Sequence, residues 1–171
     1  HGLIEIATCM HAYAYMFLCM HGQLAARRPG PSTGHSPMAG TGLSSHELNQ
    51  PGTYRDVKDT TVVAQFRATA AAREKVLQLV GCTGTEEPLD FLAWTTTPWT
   101  LPSNTALTVG PDIPYAVVRT TNRYTEAPGF VVLAEALGAQ QWGDKKAPDH
   151  EVVGTVKGSD LVGMRYEPLF D

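Results

Sequence analysis

Short runs of β-branched and aromatic residues recur along the chain from Thr60 onward, separated by turn-forming residues. Residues 61–67 (TVVAQFR), 91–97 (FLAWTTT), 115–121 (YAVVRTT), 130–133 (FVVL) and 152–157 (VVGTVK) have the length and composition of strands, not helices. Residues 70–79 (AAAREKVLQL) combine good helix formers with no internal Gly or Pro, and 134–142 (AEALGAQQW) predict a second, shorter helix despite Gly138. Both helices are expected to pack against sheet. The pattern predicts an α+β fold, rich in short strands, whose sheet curls into a barrel-like form.

The first 36 residues have a different character. Residues 7–20 (ATCMHAYAYMFLCM) are apolar, but no basic segment precedes them, and a membrane span needs about 20 apolar residues where His11 interrupts this shorter run. A buried helix or an irregular leader is expected there, followed by a Pro-, Gly- and Ser-rich linker at 27–40 (RRPGPSTGHSPMAG). The domain organisation is therefore a leader and linker over 1–36 and a folded region over 37–171. With no Met at position 1 and an apolar, strand-like end at 166–171 (YEPLFD), the sequence is expected to be cut at both ends.

Composition narrows the function classes. The chain has 171 residues, 43% hydrophobic, which suffices for one core. Its 13 Lys and Arg against 17 Asp and Glu leave a net charge of −4, so no broadly basic surface marks it as a nucleic-acid binder. Arg119, Arg123, Lys145, Lys146, Lys157 and Arg165 read as solvated charges. Cys9, Cys19 and Cys82 include no C-x-x-C pair, which argues against a disulfide framework and fits a reducing, cytoplasmic setting. His1, His11, His21, His35 and His150 lack metal-ligand spacing, so no metal is expected. Residues 81–84 (GCTG) lack the flanking strand, the lysine and the spacing of a phosphate-cradling loop. At 44–47 (SSHE), nucleophile, base and acid types stand side by side, yet adjacent residues rarely achieve triad geometry; a helix start with Ser44 or Ser45 as N-cap is the simpler reading.

The most unusual segment is 94–104 (WTTTPWTLPSN), where four Thr hydroxyls and an amide lie between and just beyond two indoles. On a strand, Thr95 and Thr97 share one face and Thr96 the other. Pro98 cannot donate to a ladder and Pro102 fixes a second φ, so the chain must leave the sheet just after the threonines and turn rigidly. Threonine hydroxyls are poor nucleophiles without a neighbouring base, so such a site would position a water or substrate rather than attack it. Composition alone favours a half-exposed strand with no further role.

Residues 94–107 (WTTTPWTLPSNTAL) resemble the threonine-rich peptide of the editing domain inserted in isoleucyl-tRNA synthetases, and the Pro98 to Pro102 run distinguishes that branch from the valyl and leucyl enzymes. Residues 41–59 (TGLSSHELNQPGTYRDVKD) resemble the entry to that domain, and 157–170 (KGSDLVGMRYEPLF) a stretch inside it. The resemblance covers 37–171, about four fifths of the chain, whereas 1–34 do not share it. It implies a partial editing domain of barrel-like type. The family's adenylation signatures are absent, so ATP and Mg would belong to a catalytic domain elsewhere in the enzyme and no cofactor is expected here. The family's pocket is completed by a later His- and Asp-containing element expected beyond Asp171.

The resemblance also implies a reaction. Valine is one methylene smaller than isoleucine, and a pocket distinguishes one methylene by only about 1–3 kcal/mol, a magnitude established on isoleucyl enzymes themselves. A second site that admits and hydrolyses the smaller product supplies the missing fidelity. Thr95, Thr96 and Thr97 would line the amino-acid and ester region as catalytic residues and hold a water roughly 3 Å from the carbonyl. Asn104 would support the loop or contact substrate; Trp99 would wall the pocket or stack on the terminal adenine, or else anchor the turn in the core. The partners implied are the acceptor end of tRNA(Ile) carrying valine and the remainder of the synthetase in cis, with no membrane. Rival readings are an acceptor-end binding module without catalysis, an inactive fragment, and a hydrolase using Ser45 and His46.

Overall fold

In the computed structural model, described residues are 4–8, 34–36, 40–44, 46, 49–52, 56, 58, 60–122, 125–138 and 150–170. The chain divides into two units, Gly22–Asp59 on one side and His1–His21 with Thr60–Asp171 on the other.

Strand β1 (Ile4–Thr8) opens the larger unit. The smaller unit contains a hairpin of β2 (Gly34–Ser36) and β3 (Thr41–Leu43), paired antiparallel. Gly40, just before β3, takes φ 65°, a left-handed conformation that glycine adopts without steric penalty.

In the larger unit, β4 (Val62–Arg67) alternates strictly, with Ala64 and Phe66 buried and Val63, Gln65 and Arg67 exposed. Helix α1 (Ala70–Leu79) follows at once. Thr69 is its N-cap, its Oγ1 accepting from the Ala72 N–H at 3.3 Å, and Ala72, Val76 and Leu77 form its buried stripe. The helix stops because Gly81 enters the left-handed region at φ 74°, its N–H donating to Gln78 O while Cys82 N–H donates to Leu77 O at 2.8 Å. This is a Schellman closure, and it gives Gly81 a purely structural role.

Strand β5 (Leu89–Thr95) is buried on nearly every residue because it lies between β4, antiparallel, and β8 (Pro128–Ala134), parallel. A 3-10 turn (Pro98–Ser103) leads to β6 (Ala106–Val109), and β7 (Pro114–Thr121) pairs antiparallel with β8 and with β9 (His150–Lys157). The five-stranded order is β4-β5-β8-β7-β9. A short helix α2 (Gly158–Leu161) and strand β10 (Arg165–Tyr166) follow, and a three-stranded sheet runs β10-β1-β6, with β1 parallel to β6. The two sheets meet at an antiparallel bridge between Ala68 and Tyr166, flanked by Thr69 N–H to Arg165 O and Glu167 N–H to Arg67 O.

The domain is strand-rich, as the hydrophobic pattern implies, but the expected barrel-like form is not found: among the described residues the larger unit has two mixed sheets that do not close into a barrel. The sequence-based strands agree within a few residues, and residues 70–79 coincide with α1. The second expected helix shortens to a 3-10 turn, Glu135–Leu137, with Gly138 after it; the rest of 134–142 lies outside the described residues. So does 9–33, including most of the apolar 7–20 segment and Cys9, Cys19, His11 and His21. Ile4–Thr8, within the segment read as leader, is a strand of the sheet. No helix among the described residues is long and apolar enough to cross a membrane.

The main core gathers Ile6, Phe66, Phe91, Leu107, Tyr115 and Tyr166 from both sheets. Phe66 and Tyr166 meet edge to face with centroids 5.2 Å apart, a favoured aromatic geometry. A second cluster, Leu92, Ala116, Val118, Val131 and Leu133, is carried by the alternate positions of β5, β7 and β8. Gly158 sits so tightly against the preceding turn that a Cβ there would lie 1.9 Å from Gly110 O and 3.0 Å from the Tyr115 ring. We expect Gly158→Ala to destabilise the fold by about 1–3 kcal/mol, the usual range for overpacking, read as a lower midpoint in urea denaturation; an unchanged midpoint would contradict this packing.

Candidate functional site

The threonine segment occupies the end of β5 and the turn that follows. Its alternation is as expected: Thr95 is buried at 8% exposure, Thr96 is exposed and Thr97 is half-buried. The strand ends at Thr95 rather than Thr97 for a local reason. The Thr97 N–H donates to Thr95 Oγ1 at 3.0 Å, turning the chain back on itself, and Pro98 has no N–H to offer a neighbour.

The hydroxyls form a chain. Thr95 Oγ1 lies 3.3 Å from Thr97 Oγ1, which lies 3.2 Å from Thr100 Oγ1, and Thr100 Oγ1 donates to Thr97 O at 2.7 Å. The 3-10 turn holds this geometry, with Pro98 at its start, Pro102 inside it, and Thr100 N–H donating to Thr97 O at 3.0 Å. Leu101, buried, is the residue that anchors the turn. Trp99 is 69% exposed and Trp94 40% exposed, so the alternative in which Trp99 anchors the turn in the core does not hold. Thr100 joins the group as a member that sequence reasoning left without a role of its own.

Asn104 faces elsewhere. Its Nδ2 donates to Ala106 O at 3.1 Å, and its Oδ1 accepts from the Tyr166 hydroxyl at 2.8 Å. Of its two expected roles, loop support is therefore the one its contacts match. Tyr166 is fully buried, and desolvation pushes its hydroxyl pKa well above the ordinary phenol value, opposed by a backbone hydrogen bond from Leu107. The hydroxyl stays protonated and remains a donor. Nothing local in the sequence signals the pairing, because the partners are 62 residues apart.

A separate open groove of about 430 Å³ lies along β4, β5 and β8 and the connection between β7 and β8, lined by residues including Thr61, Gln65, Arg67, Asp90, Asn122 and Thr125. Arg67 pairs with Asp90 across the β4–β5 ladder at 2.5 Å, and Asn122 Nδ2 donates to Gln65 Oε1 at 3.0 Å. The five residues singled out from the sequence, Thr95, Thr96, Thr97, Trp99 and Asn104, do not line it. Its charges are internally neutralised.

The other candidates fall into place or outside the description. Arg119 forks onto both carboxylate oxygens of Glu87, and Arg165 lies 3.9 Å from Glu5, so both act as surface ion-pair partners. Ser45, Glu47, Arg123, Lys145 and Lys146 lie outside the described residues. Among the described residues no three His, Cys, Asp or Glu side chains converge as a metal site would require.

No protein-family model matches the sequence. Curated proteins do: the chain is 54% identical to the isoleucine–tRNA ligase of Bacteroides thetaiotaomicron over 149 residues, covering 79% of this chain and 12% of that protein. It is 48% identical to that of Cytophaga hutchinsonii, with the same coverage, and 39% identical to that of Treponema denticola over 140 residues, covering 80% of this chain and 12% of that protein. A strand-rich segment with these relatives is part of an aminoacyl-tRNA ligase. The chain belongs, as a segment, to the isoleucine–tRNA ligase family. It spans 12% of the length of the curated relatives it matches best among those named.

The hydroxyl chain is testable as a structural unit. Thr100→Val, which removes one hydroxyl and keeps the shape, should destabilise the domain by about 0.5–1.5 kcal/mol in urea denaturation, the usual net value of a hydrogen bond. Thr96→Val at the exposed position should stay within about 0.5 kcal/mol of the parent.

Proposed function

We propose that this segment is the threonine-bearing half of an editing site that hydrolyses valyl-tRNA(Ile) mischarged by an isoleucine–tRNA ligase. The observation that carries the reading is the hydroxyl chain Thr95–Thr97–Thr100, fixed at a strand end by a two-proline turn, in a chain whose relatives are isoleucine–tRNA ligases.

The roles divide by burial and partner. Thr95 Oγ1 is engaged by the Thr97 N–H and hydroxyl, so Thr95 shapes the site from below. Thr96, exposed, has the hydroxyl free to face solvent and substrate, and it positions the attacking water together with Thr97. The threonine methyls supply the bulk that admits a valyl and excludes an isoleucyl side chain. Trp99, largely exposed beside them, offers an indole face on which the terminal adenine stacks, an interaction worth about 1–3 kcal/mol per base. Asn104 holds the loop. The hydroxyls' hydrogen-bond partners are one another and the backbone, which suits water positioning without a covalent intermediate. The segment uses no cofactor; ATP and Mg act in the catalytic domain of the cytoplasmic synthetase, which works on the same tRNA.

The same partner set favours one second reading. No imidazole or carboxylate is among those partners, so the segment alone would bind the acceptor end without cleaving the ester.

Deacylation of valyl-tRNA(Ile) and isoleucyl-tRNA(Ile) by the folded chain separates the two. Selective loss of valine supports a sufficient site; tRNA binding without loss supports the binding module. In a full-length synthetase carrying the segment, Thr96→Ala or Thr97→Ala should slow hydrolysis of valyl-tRNA(Ile) by about 100-fold or more, the lower end of what removing a positioned transition-state contact does, and valyl-tRNA(Ile) should accumulate. An unchanged level sinks the water-positioning role.

A further inference from the structure

We propose that Tyr166 is a positioning residue for the threonine site, holding the Pro98–Ser103 turn in its working shape through Asn104. The inference rests on the editing reading above for its catalytic consequence.

The argument begins with what fixes the turn. On its upstream side the turn is continuous with β5, held by the ladder to Val62 and by the threonine hydroxyls. On its downstream side it ends at Asn104, whose N–H donates to Leu101 O at 3.1 Å and whose side chain reaches forward to Ala106 O. An amide side chain that bridges a turn to the next strand keeps that geometry only if its own rotamer is fixed. The Tyr166 hydroxyl supplies the constraint, donating to Asn104 Oδ1 at 2.8 Å. This also assigns the amide orientation, since a phenol donor selects the carbonyl oxygen and turns the NH2 toward Ala106 O.

Tyr166 is suited to the task because it cannot move. Its ring is fully buried against Phe66, its backbone forms the bridge to Ala68, and it pairs with Ile4 in the β10–β1 ladder. The junction of the two sheets is thereby transmitted to the loop that carries Thr97, Trp99 and Thr100. The Tyr166 hydroxyl donates to Asn104, so its effect on the turn passes through Asn104.

Tyr166→Phe removes the hydroxyl and keeps the ring and its packing. Hydrogen exchange on the chain itself reads the latch: the Thr100 and Asn104 amides should exchange about 3- to 10-fold faster, as expected for one lost hydrogen bond, with α1 amides such as Val76 unchanged. Asn104→Ala should reproduce the effect, and the double variant should add nothing further. On valyl-tRNA(Ile), with the chain and with a full-length synthetase carrying it, Tyr166→Phe should lower kcat about 3- to 10-fold with KM held, because pre-organisation and not ground-state binding is lost. Unchanged exchange at Thr100 and Asn104 overturns the latch. Faster exchange with unchanged kcat overturns the positioning role. Faster exchange where the parent protein itself hydrolyses no valyl-tRNA(Ile) upholds the latch and overturns the editing reading.

Discussion

The junction at Ala68 and Tyr166 is the constraint on which the rest of the larger unit depends. The three-stranded sheet it attaches contains strands of five, four and two residues, at or below the usual strand length. The two backbone hydrogen bonds of the Ala68–Tyr166 bridge and the Phe66–Tyr166 edge-to-face pair tie it to the five-stranded sheet, and the two together enclose one apolar core. The chain passes between the sheets through the turn after β5, so the relative placement of the sheets also dictates where that turn starts and ends. A polar site grows there because the chain leaves one ladder before it joins the next, with backbone and side-chain hydrogen bonds having to be satisfied locally.

That local satisfaction explains why threonine is the residue in use. A serine hydroxyl would make the same bonds with less hold on its rotamer, whereas the β-branched side chain has few χ1 options and presents a methyl beside each hydroxyl. The chain from Thr95 through Thr97 to Thr100 is therefore stiff as well as polar. It needs no charge to stay in place, and the acidic chain as a whole offers no strong field to attract a phosphate backbone. Under the proposed editing function, recognition by such a surface would depend on shape, hydroxyls and the exposed indole of Trp99.

Much of this was legible in the sequence where the signal is local. Runs of β-branched and aromatic residues bounded by turn residues located β4 and β7, helix propensity bounded 70–79, and the proline after three threonines located the exit from the sheet. The alternation of Thr95, Thr96 and Thr97 followed from strand geometry alone. The rest was illegible because it is not local. Trp99 is apolar enough to be read as a core anchor, but a 3-10 turn of six residues can bury only part of its circumference, and Leu101 takes that place. The pairing of Tyr166 with Asn104, the docking of Ile4–Thr8 and the groove beside Arg67 and Asp90 all depend on strand order. The same apolar alternation is compatible with a closed barrel and with the joined sheets observed.

The mixed pairing of β1 has a consequence for the order in which the protein takes shape during synthesis. Ile4–Thr8 leaves the ribosome before either of its partners: its parallel partner Ala106–Val109 follows about a hundred residues later, roughly 5–20 s at ordinary elongation rates, and Arg165–Tyr166 later still. For that interval the strand has neither of its eventual neighbours, while β4, α1 and β5 can already associate as a local unit. The threonine turn is thus translated well before Tyr166, whose hydroxyl bonds Asn104 at the far end of the turn, so that contact forms only after the turn itself has left the ribosome.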